Sequence, residues 1–88
     1  ELVSAITESV EEAHAAQDQL EVFEKGLLKQ TEETLRIAKI SFQQGAASLL
    51  EFIDAQRVHR QMLLEYAQAR ANLSVELARL ERWTGEIR

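Results

Sequence analysis

Apolar residues in the first half of the chain recur at steps of three and four. The series is Val3, Ile6, Val10, Ala13, Ala16, Leu20, Phe23 and Leu27, followed after a gap by Leu35, Ala38 and Phe42. This spacing places side chains on one face of an α-helix. We predict a helix over about residues 2–43, roughly 60 Å long at ~1.5 Å per residue. Gly26 and the polar residues 29–34 predict a soft or bent spot at 25–31.

A second helix is predicted from its start signal and its heptads. Ser48 and Glu51 have the Ser-x-x-Glu spacing of a capping box. The heptad series is Phe52, Ala55, His59, Met62, Tyr66, Ala69, Leu73, Glu76, Leu80 and Trp83. Gly85 has the place of a C-terminal cap. We therefore predict a helix over about residues 48–84, with a turn at 44–47 around Gly45.

The two helices are predicted to pair antiparallel. If the chain reverses within the turn, residues in contact have numbers that sum to about 92 or 93. The predicted pairs are Leu20 with Leu73, Leu27 with Tyr66, Ala13 with Leu80 and Val10 with Trp83. Every pair is apolar, and the chain has no proline and no alternating strand pattern. The predicted fold is all-α, a long antiparallel two-helix coiled-coil hairpin.

The line of contact between the two helices is called the seam. Apolar residues also lie outside it. They are Leu2, Val22, Leu28, Ile37 and Ile40 on the first arm, and Ile53, Val58, Leu63, Leu64, Ala71, Val75 and Leu77 on the second. A hairpin that packs only on itself needs one stripe, so the wider apolar surface predicts neighbours. The 88-residue chain makes one domain without cysteines to crosslink it. We expect an isolated copy to self-associate into a helical bundle and, since the chain begins at Glu1, to be a piece of a larger protein.

Charge and composition exclude several classes of function. The net charge of −5 lies in residues 1–44, which argues against a nucleic-acid interface. No apolar run is long enough to span a membrane as a helix. His14 and His59 are far apart with no ligand at a metal spacing, and no nucleophile has a base beside it. We expect no enzyme activity, no metal and no cofactor; His59 is interpreted as a packed, hydrogen-bonded seam residue.

The turn carries a pattern that resembles the outer-membrane efflux protein family, the TolC-like channels. The pattern is Phe42-x-x-Gly45-x-x-Ser48 followed by an apolar run that ends in Asp54-Ala-Gln-Arg57. The closing residues 77–85, Leu-Ala-Arg-Leu-Glu-Arg-Trp-Thr-Gly, are similar to the end of the family's helix and favour its heavy-metal-cation branch. Upstream, Lys29 stands where many members have proline. The resemblance covers about residues 20–85.

The resemblance implies a function. Members are trimers whose periplasmic helical hairpins dock a periplasmic adaptor, which connects the outer-membrane channel to an inner-membrane pump. This chain would be one periplasmic hairpin repeat. By position, the adaptor-docking residues would be Gln44, Gly45, Ala46, Ala47 and Ser48. Phe42 and Asp54 would stand at the constriction of the duct.

Two alternatives remain open at the level of sequence. The first is the α-hairpin of a periplasmic adaptor, which also has a small-residue turn. The second is a structural or interaction coiled coil without a transport role. The Asp54-Ala-Gln-Arg57 motif and the Thr84-Gly85 ending favour the channel over the adaptor. A generic coiled coil leaves the turn pattern unexplained.

Overall fold

The chain forms one long helical hairpin. The computed structural model describes residues 1–87 and the side chains of residues 1–85. Helix α1 spans Leu2–Val22, a π-helical turn spans Phe23–Leu27, α2 spans Leu28–Gln43 and α3 spans Leu49–Ile87. The first three elements form a continuous first arm, and α3 is the second arm, antiparallel to it. The hairpin measures 64 × 16 × 16 Å, so the all-α hairpin and its length are confirmed.

The seam of α3 follows the predicted heptad at every position. Each of its ten residues is buried or half-buried: Phe52, Ala55, His59, Met62, Tyr66, Ala69, Leu73, Glu76, Leu80 and Trp83. Their neighbours on the outer face of the helix are exposed. The alternating steps of three and four run through the whole helix without interruption, as in a coiled coil. This arm therefore presents one continuous stripe to its partner.

The seam of the first arm departs from prediction near the N-terminus. Ser9 is buried, whereas Val3 and Val10 are exposed. Both Ser9 and Val10 fit steps of three and four between Ile6 and Ala13, and the structure places the small serine in the seam. Val10 lies beside the seam, in a groove shared with Leu77 and Leu80. The pattern favours the bulky, apolar Val10 over the small, polar Ser9, so the prediction that Val10 lies in the seam is wrong.

A π-turn at Phe23–Leu27 overlaps the soft or bent spot predicted at residues 25–31. Leu28 donates its backbone N–H to the carbonyl oxygen of Phe23, five residues earlier rather than four. With the tip of the hairpin drawn at the bottom, the seam above the turn runs through Leu20, Phe23 and Leu27. Below the turn the half-buried series is Thr31, Leu35, Ala38 and Phe42. An unbroken heptad would continue from position 27 to 30, 34, 37 and 41. The first arm thus contains one extra residue, and the π-turn accommodates it.

Aromatic and polar contacts join the arms beside the π-turn. The rings of Phe23 and Tyr66 lie 6.1 Å apart, centroid to centroid. The Tyr66 hydroxyl donates a hydrogen bond of 2.8 Å to Glu24, and this bond to a carboxylate raises the pKa of Tyr66 above its ordinary value. The Arg70 guanidinium lies 5.7 Å from the centre of the Tyr66 ring. Tyr66 therefore contacts residues one turn before its predicted partner Leu27.

Two other predicted pairs lie together. Leu20 and Leu73 line one shallow groove, and Ala13 and Leu80 line another. His59 is half-buried in the seam, with its Nδ1 atom 3.4 Å from the Thr31 hydroxyl. This contact agrees with the interpretation of His59 as a packed seam residue.

A carboxylate is buried in the upper part of the seam. Glu76 is only 8% exposed, and Arg79 donates to its carboxylate at 3.3 Å. The same Arg79 atom lies 3.2 Å from Glu12 on the opposite arm. A buried acid is costly unless it is paired, so Arg79 holds Glu76 and connects the two arms.

The second arm extends beyond its predicted end. α3 continues through Gly85 to Ile87, so Gly85 is not a C-terminal cap. Such a cap needs a left-handed residue, and of the described residues only Gly45 has a positive φ angle. Most of the large apolar residues predicted to lie outside the seam are exposed, with Leu28 half-buried.

Candidate functional site: the hairpin tip

The first arm ends in a tightly hydrogen-bonded turn. Gln44 follows the last helical residue, and Gly45 adopts the left-handed conformation with φ of 77°. Gly45 donates its N–H to the Phe42 carbonyl at 3.0 Å, and Ala46 donates to the Ser41 carbonyl at 2.8 Å. These two bonds define a Schellman motif. Glycine is required because side chains with a Cβ atom disfavour this conformation.

The second arm starts with the predicted capping box. Glu51 donates its backbone N–H to the Ser48 hydroxyl at 3.2 Å. In return, the Ser48 N–H donates to the Glu51 carboxylate at 3.3 Å. Both bonds satisfy amides that the start of a helix leaves without a partner. Residues 44–48 therefore connect two helices whose ends are both capped.

Two aromatic rings lie directly behind the turn. Phe42 and Phe52 stack with their centroids 5.5 Å apart and an angle of 22° between the ring planes. Both side chains are half-buried. Offset stacking of this kind adds to the apolar contact between two rings. The ring predicted to stand at the duct constriction is therefore engaged inside the hairpin.

Ser48→Ala is expected to destabilise the hairpin by about 1 kcal/mol, because it removes the oxygen that accepts the Glu51 N–H. Urea unfolding followed by circular dichroism would measure the change. Ser74→Ala is the matched control, since Ser74 is exposed within α3 and alanine is a better helix former than serine. Equal effects of the two substitutions would contradict a capping role.

The five residues predicted to dock an adaptor lie together at the tip. Gln44, Gly45, Ala46 and Ser48 are exposed, and Ala47 is half-buried. The structure adds two residues that the sequence analysis did not single out. Leu49 and Leu50, which begin α3, are 54% and 65% exposed. Their position directly after a capped turn was the signal that could have identified them, since an apolar pair there has no seam to fill.

Asp54 is separated from the turn by more than one helical turn of α3. Its side chain is exposed and lies at the edge of a shallow groove of about 420 Å³ between the arms, lined also by Leu27, Gln30, Thr31, Thr34, Ala55 and Val58. Phe42, whose ring stacks on Phe52, is not among the residues that line this groove.

The two histidines lie on different arms of the hairpin. His14 is exposed on α1, and His59 lies in the seam of α3. Within residues 1–87, no group of three His, Cys, Asp or Glu side chains could hold a metal ion. Over the same residues, none of the helices combines the length and hydropathy that crossing a bilayer requires. The tip combines a hydrogen-bonded backbone with exposed small and apolar residues.

The chain is thus a capped helical hairpin with an exposed tip. The family model described as outer membrane efflux protein matches residues 1–86. The chain belongs to this family, whose members are components of transport systems. No curated protein and no solved structure matched the chain.

Proposed function

We propose that this hairpin is a periplasmic segment of a trimeric outer-membrane efflux channel, and that its tip docks a periplasmic adaptor. Through the adaptor the channel would connect to an inner-membrane pump. The proposal rests on family membership over residues 1–86 together with a rigid and exposed turn. The closing motif Leu80-Glu-Arg-Trp-Thr-Gly85 favours a role in the export of heavy-metal cations.

The tip has three properties that suit a docking surface. Its backbone is held by the Schellman motif and the capping box, so its shape is defined before contact. Gly45 and Ala46 carry little or no side chain, which lets another backbone approach closely. Leu49 and Leu50 add exposed apolar area beside the turn, and such area is typical of interaction sites.

Asp54 is proposed as the acidic residue of the duct constriction. In a symmetric assembly, each exposed Asp54 carboxylate would be repeated around the axis. A ring of carboxylates stabilises cations as they pass. Phe42 would contribute indirectly, because its ring packs against Phe52 and fixes the start of α3.

Photo-crosslinking in cells tests the docking proposal. A photoreactive amino acid is placed at Ala46 or at Leu50 of the full-length protein. Both side chains are exposed, and neither donates to or accepts from the capping bonds at Ser48. We expect crosslinks from both positions to a periplasmic adaptor protein. Gln61, which is exposed further up α3, is the control position and should give no adaptor crosslink.

The result can contradict the proposal in two ways. Crosslinks from Ala46 and Leu50 only to other copies of the chain would make the tip a self-association surface. Equal adaptor crosslinking from Gln61 would show that contact is not concentrated at the tip. In either case the chain would remain a member of its family without the proposed docking role.

A further inference from the structure

The π-turn divides the first arm into two halves with different phases. One residue corresponds to about 100° of rotation in an α-helix. The extra residue in Phe23–Leu27 therefore allows the stripes of both α1 and α2 to face α3 at once. If the turn became α-helical, α2 would rotate relative to α1 and its stripe would leave the seam. The conformation of this turn thus sets the orientation of the tip-side half.

Contacts are strong on the α1 side of the turn. Phe23 is buried and packs against Tyr66. Glu24 accepts the 2.8 Å hydrogen bond from the Tyr66 hydroxyl. The Arg70 guanidinium lies over the Tyr66 ring. We name Phe23, Glu24, Tyr66 and Arg70 the tyrosine clasp. The clasp attaches the beginning of the π-turn to α3.

On the α2 side of the turn the seam is more exposed. No residue of α2 is buried, whereas α1 buries Ser9, Ala13 and Ala16. Gly26 is exposed, and a Cβ atom added to it would meet nothing within 4 Å. Below it, the polar residues Gln30, Thr31 and Thr34 line the 420 Å³ groove against α3. Thr31 occupies a seam position where a larger apolar residue would fill more space. Across this groove the contact between the Thr31 hydroxyl and His59 is long, at 3.4 Å, so space remains between the upper end of α2 and α3.

We propose that the π-turn is a pivot, at which α2 and the tip turn relative to α1 while the tyrosine clasp holds the upper half in place. The observations that carry this are the firm clasp, the extra residue and the open groove directly below. That such a motion changes the width of the duct rests on the proposed function; the pivot itself does not.

Deletion of Gly26 tests the pivot, because it removes the extra residue. The seam then continues from Phe23 through Leu28, Thr31, Leu35, Ala38 and Phe42 with unbroken heptad spacing. We expect the π-turn to become α-helical without loss of the hairpin. Deletion of the exposed Ala15 within α1 is the matched control. It interrupts a continuous heptad and should disrupt the seam.

Spin labels report the motion in the full-length protein. The lower pair, Asp18 and Lys39, spans the π-turn, and the upper pair, Asp18 and Ala71, lies on the α1 side of it; all three residues are exposed. Labelled protein is diluted with unlabelled protein so that distances within one chain are measured. We expect a broad distance distribution for the lower pair and a narrow one for the upper pair. Deletion of Gly26 should narrow the lower distribution.

Hydrogen exchange provides a second measurement. Amides of residues 28–35 should exchange roughly fivefold more slowly after Gly26 is deleted, the factor that corresponds to removal of one helical glycine. A lower-pair distribution as narrow as that of the upper pair in the unaltered protein would overturn the proposal. The proposal would also be overturned if the Gly26 deletion variant unfolded in the same way as the Ala15 deletion variant. Neither result bears on docking, which the crosslinking experiment decides.

Discussion

Replacing Phe23 with alanine is expected to lower the free energy of unfolding by about 3–5 kcal/mol. Phe23 is 9% exposed and is the largest residue of the buried apolar core in the described chain. Its ring packs against Tyr66 across the seam. Truncation would remove this contact and leave a cavity that two long helices cannot close locally. Guanidinium unfolding of the purified protein, followed by circular dichroism, measures the loss.

Val22→Ala is the control for this substitution. Val22 precedes Phe23 in the chain but is 61% exposed, so its truncation should change stability by less than about 0.5 kcal/mol. If Phe23→Ala behaved like Val22→Ala, the rings of Phe23 and Tyr66 would not be packed in solution. The position of the seam on the first arm would then have to be revised.

Replacing Glu76 with leucine is expected to stabilise the hairpin by about 1–4 kcal/mol. Glu76 occupies a heptad position between Leu73 and Leu80, which are both half-buried in the seam. Its carboxylate is held there by Arg79. Leucine has a similar volume and needs no partner when buried. The same denaturation experiment measures the gain.

A double-mutant cycle separates the pair from its surroundings. Arg79→Ala alone should destabilise, because it leaves Glu76 buried without its partner. In the Glu76→Leu background, Arg79→Ala should cost much less, since only the exposed contact with Glu12 is lost. Equal costs of Arg79→Ala in both backgrounds would show that Glu76 does not depend on Arg79.

Much of the fold could be predicted from the sequence, because its signals are local. The seam of α3 was predicted position by position, since its heptad contains no interruption. The turn was predicted from Gly45, which needs a left-handed conformation, and from the Ser48–Glu51 pair, whose spacing forms a capping box. In each of these cases the residue type and the spacing favour a single local structure.

The remainder depends on relations that a linear pattern does not contain. Ser9 and Val10 both fit the spacing between Ile6 and Ala13, so the burial of Ser9 depends on the packing of α1 against α3. Gly26 indicates a weak point in the first helix, but the π-turn itself follows because the stripes of α1 and α2 must both face α3. At the tip, the exposure of Leu49 and Leu50 depends on which face of α3 packs against the first arm. The roles of residues 44–48 and of Asp54 remain predictions.

The capped turn has a thermodynamic consequence for recognition. Fixing the backbone of a flexible residue costs roughly 1–2 kcal/mol in conformational entropy. At residues 44–48 the Schellman motif and the capping box meet that cost during folding. A partner that contacts this turn therefore does not have to order a loop. Preorganisation of this kind lets a small contact area support specific binding.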